Sequence, residues 1–135
     1  ERVLSLDEHG ALIECRIPEH VPDSGAGHGL GPLTYDIASH ACLVWLMEYH
    51  RAACLPASMG RLRWRGDAPM PRHFFVAMRV RQFAGQRFGC DFELCDRAGR
   101  IFATYEDFAA TVVDRDSALW GKDPRRGDAV GMEAA

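Results

Sequence analysis

Gly31-Pro32-Leu33-Thr34-Tyr35-Asp36-Ile37-Ala38-Ser39-His40-Ala41-Cys42-Leu43-Val44-Trp45-Leu46-Met47-Glu48-Tyr49-His50 is the stretch that decides the fold. From Ile37 to Met47 it is apolar on nearly every face. A helix with that pattern is expected to be buried on all sides. Thr34 is a candidate N-cap. Asp36 and His40 stand one turn apart, and residues four apart share a helix face. Burial is costly for an unpaired charge, so such a pair must find partners or change its protonation. Acid–base chemistry uses that combination. The plainer reading of Asp36 is a first-turn carboxylate that complements the helix dipole. The plainer reading of His40 is a buried imidazole satisfied by hydrogen bonds.

Working outward, Arg2 to Leu6 reads as a strand, Asp7 to Gly10 as a turn, and Ala11 to Ile17 as a second strand. Pro18 to Pro32 is a Gly/Pro loop leading into the helix. After it, Leu55-Pro56-Ala57-Ser58 suggests a turn. Gly60 to Arg65 alternates, with Arg61, Arg63 and Arg65 on one face and Leu62 and Trp64 on the other, as in a half-buried strand. Asp67 to Arg72 is a Pro-containing turn; His73 to Phe83, Arg87 to Cys95 and Arg100 to Val113 read as strands. Asp96-Arg97-Ala98-Gly99 makes the last hairpin turn. The order is two strands, one helix and four strands. A greasy helix needs cover on more than one side, which a strongly curved antiparallel sheet can give. The expected fold is therefore α+β, the hot-dog architecture, over residues 1–116, with 117–135 as a flexible linker.

Composition narrows the function. The chain has 135 residues, enough for one core, and a net charge of −3, which argues against general nucleic-acid binding. Five cysteines (Cys15, Cys42, Cys54, Cys90 and Cys95) show no C-x-x-C pair and fit free thiols in a cytoplasmic protein. Cys and His residues also lack paired zinc-ligand spacing, so no metal is expected. No run of about 18 apolar residues suggests a membrane span, and no signal peptide is visible.

Gly31-Pro32-x-x-x-Asp36-Ile37-Ala38-Ser39-His40 resembles the start of the central helix in hot-dog dehydratases, most closely the second, C-terminal hot dog of polyketide synthase dehydratase domains. There the helix carries Asp-x-x-x-Gln or Asp-x-x-x-His. Leu55 to Trp64 is similar to the Leu-Pro segment and strand that follow. Asp91-x-x-Leu94-x-Asp96-x-x-Gly99-Arg100-Ile101-x-Ala103 looks like the family's final hairpin. The likeness runs from about Ala11 to Val113. The first hot dog of these enzymes carries the catalytic His in His-x-x-x-Gly-x-x-x-x-Pro, which this sequence lacks. The resemblance therefore implies half a site, completed by an upstream hot dog of the same polypeptide or by another chain. A second alignment, to single hot-dog dehydratases with His-Phe-Pro before the helix, matches His20-Val21-Pro22. It implies a homodimer in which His20 of one copy faces Asp36 of the other.

What the resemblance implies is dehydration of a 3-hydroxyacyl group on an acyl carrier protein to a 2-enoyl thioester, as a lyase of fatty-acid or polyketide synthesis. Asp36 would be the acid, held protonated by burial. His40 would orient it or hydrogen-bond the hydroxyl. Gly31, Pro32, Leu33 and Tyr35 would bind substrate, with amides near Gly31 and Leu33 holding the thioester oxygen. The C2 base would come from the other half or from His20. Arg61, Arg63 and Arg65 form either a solvated face or a docking patch for an acidic carrier and its phosphopantetheine. No cofactor is implied. The rivals are a hot-dog acyl-thioesterase and a non-catalytic acyl-binding, structural or product-shaping hot dog.

Overall fold

The computed structural model describes residues 1–21, 32–65 and 71–113, and within 32–35 the backbone only. Six strands and one helix follow the expected order: β1 (Arg2–Asp7), β2 (Gly10–Arg16), α1 (Pro32–His50), β3 (Ala53–Trp64), β4 (His73–Ala84), β5 (Arg87–Asp96) and β6 (Ile101–Val113). The strands form one antiparallel sheet in the order β1-β2-β4-β5-β6-β3, curved around α1. This is the hot-dog fold. The expected linker at 117–135 lies outside the described residues.

Alternation builds the face toward the helix. Ala11, Ile13 and Cys15 of β2, Phe74, Val76 and Met78 of β4, and Phe88, Cys90, Phe92 and Leu94 of β5 are all buried. On β6 the phase slips. Ala103 and Tyr105 are buried, and then Phe108, Ala110 and Val112. Asp107 absorbs the extra residue with φ of 56°, in the left-handed region that Asp tolerates better than most residues. Its backbone N–H, lost to the ladder, donates to Asp91 Oδ1 at 3.0 Å.

The helix ends at a residue in the left-handed region. Arg51 takes φ of 50°, and Ala52 N–H donates to Leu46 O at 3.2 Å. The opposite end begins at Pro32, whose fixed φ suits a first helical residue. Thr34 therefore sits inside the first turn and is not the N-cap.

Two further expectations need correction. Leu55 to Ser58 is not a turn: it belongs to β3, with a register irregularity between Pro56 and Ser58. β3 is an edge strand, where a proline's missing N–H can go unpaired. Nor is the helix buried all round. Ala38, Ala41, Cys42, Trp45 and Leu46 are buried, Leu43 and Val44 are half-buried, and Met47 is exposed. A single sheet covers only one side of α1. Gly60 to Arg65 is half-buried only at Trp64, which packs against the core, while Leu62 is 50% exposed.

Candidate active site

Asp36 is the fifth residue of α1, counting Pro32 as the first, so it lies in the second turn. The dipole's pull on a carboxylate fades beyond the first turn, which weakens the plain dipole reading. His40 follows one turn on, and its Nε2 stands 3.6 Å from Asp36 Oδ2. Its other nitrogen, Nδ1, is 2.9 Å from Oε1 of Glu1. The imidazole is thus set between two carboxylates, one from its own helix and one from the residue just before β1. Buried Ser39, between them in sequence, donates its hydroxyl to Asp36 O at 2.7 Å and holds the backbone there.

The expected burial of Asp36 is absent. Its side chain is 68% exposed and that of His40 40% exposed. This chain alone therefore leaves the Asp36 carboxyl open to solvent. Asp36, His40, Leu43 and Met47 follow one another along the stripe that the sheet leaves uncovered.

The other expected site residues are placed less closely. Pro32, Leu33 and Tyr35 belong to the first turn of α1, and Gly31 lies outside the described residues. Unpaired amides belong to such a helix start. His20 is exposed in the turn after β2. Among the described residues it makes no hydrogen bond or ion pair with Asp36 or His40. That turn is tied down by Arg72, whose guanidinium donates to Pro18 O at 2.8 Å and Val21 O at 2.9 Å. Arg61, Arg63 and Arg65 are exposed, and among the described residues their guanidinium groups make no ion pair. Their strand pairing sets Arg61 opposite Glu106 and Arg63 opposite Thr104.

Glu1 is the site residue that the sequence does not announce. It contacts His40 from 39 positions away, and no local spacing encodes that contact. A groove of about 520 Å³ crosses the sheet elsewhere, lined among others by Ser58, Gly60, Arg81, Arg87 and Asp107. Neither Asp36 nor His40 lines it.

Five free thiols complete the chemically active inventory of the described residues. Cys42 Sγ lies 3.5 Å from Cys90 Sγ in the core. Burial, followed by hydrogen bonds to Cys54 and Cys90, pushes the Cys42 thiol well up. Burial pushes Cys15 up to about 11. Cys15 and Cys42 are therefore poor nucleophiles at neutral pH and serve as packing, whereas the hydrogen bond with Cys42 holds the Cys54 thiol below its ordinary value.

A curved sheet around a helix that carries an Asp and a His one turn apart is the arrangement that the resemblance to hot-dog dehydratases implies. The profile of the polyketide synthase dehydratase N-terminal domain family matches residues 1–119, and the chain belongs to that family. The family is that of the N-terminal domain, whereas the sequence resemblance points to the second, C-terminal hot dog.

Solved structures give the same fold. The dehydratase domain of RzxB from Pseudomonas fluorescens is 24% identical, with a TM-score of 0.65, over 82% of this chain and 40% of that one. The E. coli PaaI protein from the phenylacetic acid degradation operon is 14% identical, with a TM-score of 0.64, over 82% of this chain and 81% of that one. Zebrafish thioesterase superfamily member 2 is 18% identical, with a TM-score of 0.59, over 82% and 77%. The chain spans about two fifths of the RzxB dehydratase domain, but about four fifths of PaaI. No curated protein matches it.

Proposed function

We propose that this chain supplies the acid-bearing half of a dehydratase site. The substrate is a 3-hydroxyacyl group on the phosphopantetheine of an acyl carrier protein, and the product is a 2-enoyl thioester. One observation carries the reading: Asp36 and His40, one turn apart near the start of the central helix, lie on a stripe that the chain's own sheet leaves open. Leu43 and Met47 continue that stripe, and Leu55 and Leu62 of the edge strand β3 are exposed as well. Covering these apolar side chains with a second hot dog would also desolvate Asp36. That partner is the upstream half of a longer polypeptide or a second copy of this chain.

In the reaction a base removes the C2 proton. The C3–O bond breaks, and Asp36 gives its proton to the departing hydroxyl, which leaves as water. Amides at the start of α1, near Gly31 and Leu33, hold the charge growing on the thioester oxygen. The base comes from the partner half or from His20. Arg61, Arg63 and Arg65 are free to meet an acidic carrier protein and its phosphate. No metal or redox cofactor enters the reaction, and a cytoplasmic location suits it.

The test incubates the chain with a 3-hydroxyacyl carrier protein and follows loss of water by intact mass, with Asp36→Asn in parallel. Water loss that the variant abolishes supports the reading and makes His20 the leading base. Activity that appears only when a complementary hot dog is added supports the split site. Dehydration undiminished in Asp36→Asn refutes the role of the acid. The likeness to a thioesterase-superfamily fold keeps one rival in view: release of free acid in the same assay would replace dehydration with thioester hydrolysis.

A further inference from the structure

We propose that Glu1 is a positioning residue for this site, fixing the ring orientation and tautomer of His40 and, through it, the carboxyl of Asp36. The inference rests on Asp36 acting as the acid. Nδ1 of His40 stands 2.9 Å from Glu1 Oε1, and Nε2 stands 3.6 Å from Asp36 Oδ2. An ionised carboxylate only accepts hydrogen bonds. Against Glu1, Nδ1 must therefore be the donor. In the neutral ring this puts the proton on Nδ1 and leaves a lone pair on Nε2. That lone pair can accept a proton-bearing Asp36 Oδ2–H, whereas an ionised Asp36 would face it without a proton between them. The opposite tautomer, with its proton on Nε2, would donate to an ionised Asp36 and oppose the acid role. The 3.6 Å separation leaves room for the pair to tighten when substrate and the second hot dog close over it.

The experiment records the imidazole nitrogen spectrum of His40 by ¹⁵N NMR in the folded chain, with the signal assigned through His40→Gln. The unsubstituted chain is expected to show the Nδ1–H tautomer. Glu1→Ala should shift it toward Nε2–H. Glu1→Gln, which keeps an accepting oxygen, should retain it. Arg2→Ala is the control for general loosening of β1 and should leave the tautomer unchanged. In the dehydration assay with a complementary hot dog, Glu1→Ala should lower kcat on the order of tenfold with KM unchanged, less than the roughly hundredfold or more expected from losing the acid itself. Glu1→Gln should recover most of that loss. An unchanged tautomer in Glu1→Ala, or an equal change in Arg2→Ala, overturns the assignment. The spectrum needs no turnover, so this failure is separate from a failure of the dehydratase reading, which shows as an active Asp36→Asn.

Discussion

Replacing Gly10 with alanine should unfasten the corner where helix and sheet meet. Asp7 Oδ1 accepts the N–H groups of His9 at 2.8 Å and Gly10 at 3.0 Å, closing the β1–β2 turn. The carbonyl of Asp7 accepts Trp45 Nε1–H at 2.9 Å, fastening the turn to α1. The carbonyl of His9 accepts Val80 N–H at 2.8 Å, fastening it to β4. A Cβ on Gly10 would fall well inside contact distance of the Met78 carbonyl oxygen and 3.0 Å from its carbon. Both atoms are backbone, so no side-chain rotation relieves the clash. The strands must separate, and the Val80–His9 bond goes with them. Overpacking costs about 1–3 kcal/mol and the lost hydrogen bond about 1 kcal/mol more, so the expected destabilisation is about 2–4 kcal/mol. For a domain this small, a loss of that size lowers Tm by roughly 10–20 °C. Urea unfolding read by tryptophan fluorescence measures it. Gly89→Ala is the contrast: the nearest atom to its Cβ would be 3.6 Å away, and that substitution should be neutral or slightly stabilising. If Gly10→Ala unfolds within about 0.5 kcal/mol of the unsubstituted chain, the range of an ordinary surface change, the reasoning fails.

Further outcomes follow from other parts of the molecule. Hydrogen bonds from Arg16 and then Arg2 hold the Glu14 carboxyl below its ordinary 4.5, and the Arg100 backbone N–H is the first cause holding Asp96 below 3.8. Both groups stabilise the fold above those values and lose that contribution as pH falls through their lowered ones. Glu14→Gln and Asp96→Asn should therefore flatten the acid limb of a stability–pH curve below about pH 4.5, and an unchanged limb refutes this. Asp91→Ala removes the acceptor of the Asp107 N–H and the partner of Arg79, and leaves Arg81 its 3.6 Å contact with Asp107 Oδ1, with an expected cost of about 1 kcal/mol in urea unfolding. Thiol labelling at pH 8 should leave Cys15 and Cys42 unreacted until urea is added, and rapid native labelling of either would contradict their burial. The triple substitution of Arg61, Arg63 and Arg65 by Glu should weaken carrier-protein binding without changing Tm. Unchanged binding would return these arginines to a solvated face.

The element order was legible because alternation and helical periodicity are local. Phe74, Val76 and Met78, or Phe88 and Cys90, announce a strand within five residues. Leu55-Pro56 misled because proline reads as a turn, and only the sheet order shows that β3 lies at an edge where proline is tolerated. The apolar run of α1 spoke of burial but not of what provides it, so the open stripe through Leu43 and Met47 could not be foreseen. Asp36 and His40 were legible as a pair from their spacing alone. Their exposure, and the approach of Glu1 from 39 positions away, depend on how the chain folds back on the helix, which is a tertiary fact.

The pairing of β3 with β6 has a consequence for synthesis. β3 ends at Trp64, and its neighbour among the described strands is not complete until Val113, 113 − 64 = 49 residues later. At roughly 5–20 residues per second, the finished β3 waits about 2.5–10 s on the ribosome with Leu55 and Leu62 uncovered and no strand to pair with. α1 is made before any of the strands β3 to β6. The N-terminal hairpin and the helix can assemble early, and the sheet closes only at the end. A chain stalled before Ile101 would hold every residue of the Glu1–His40–Asp36 cluster and still display β3 as a bare, partly apolar edge, the kind of surface chaperones retain.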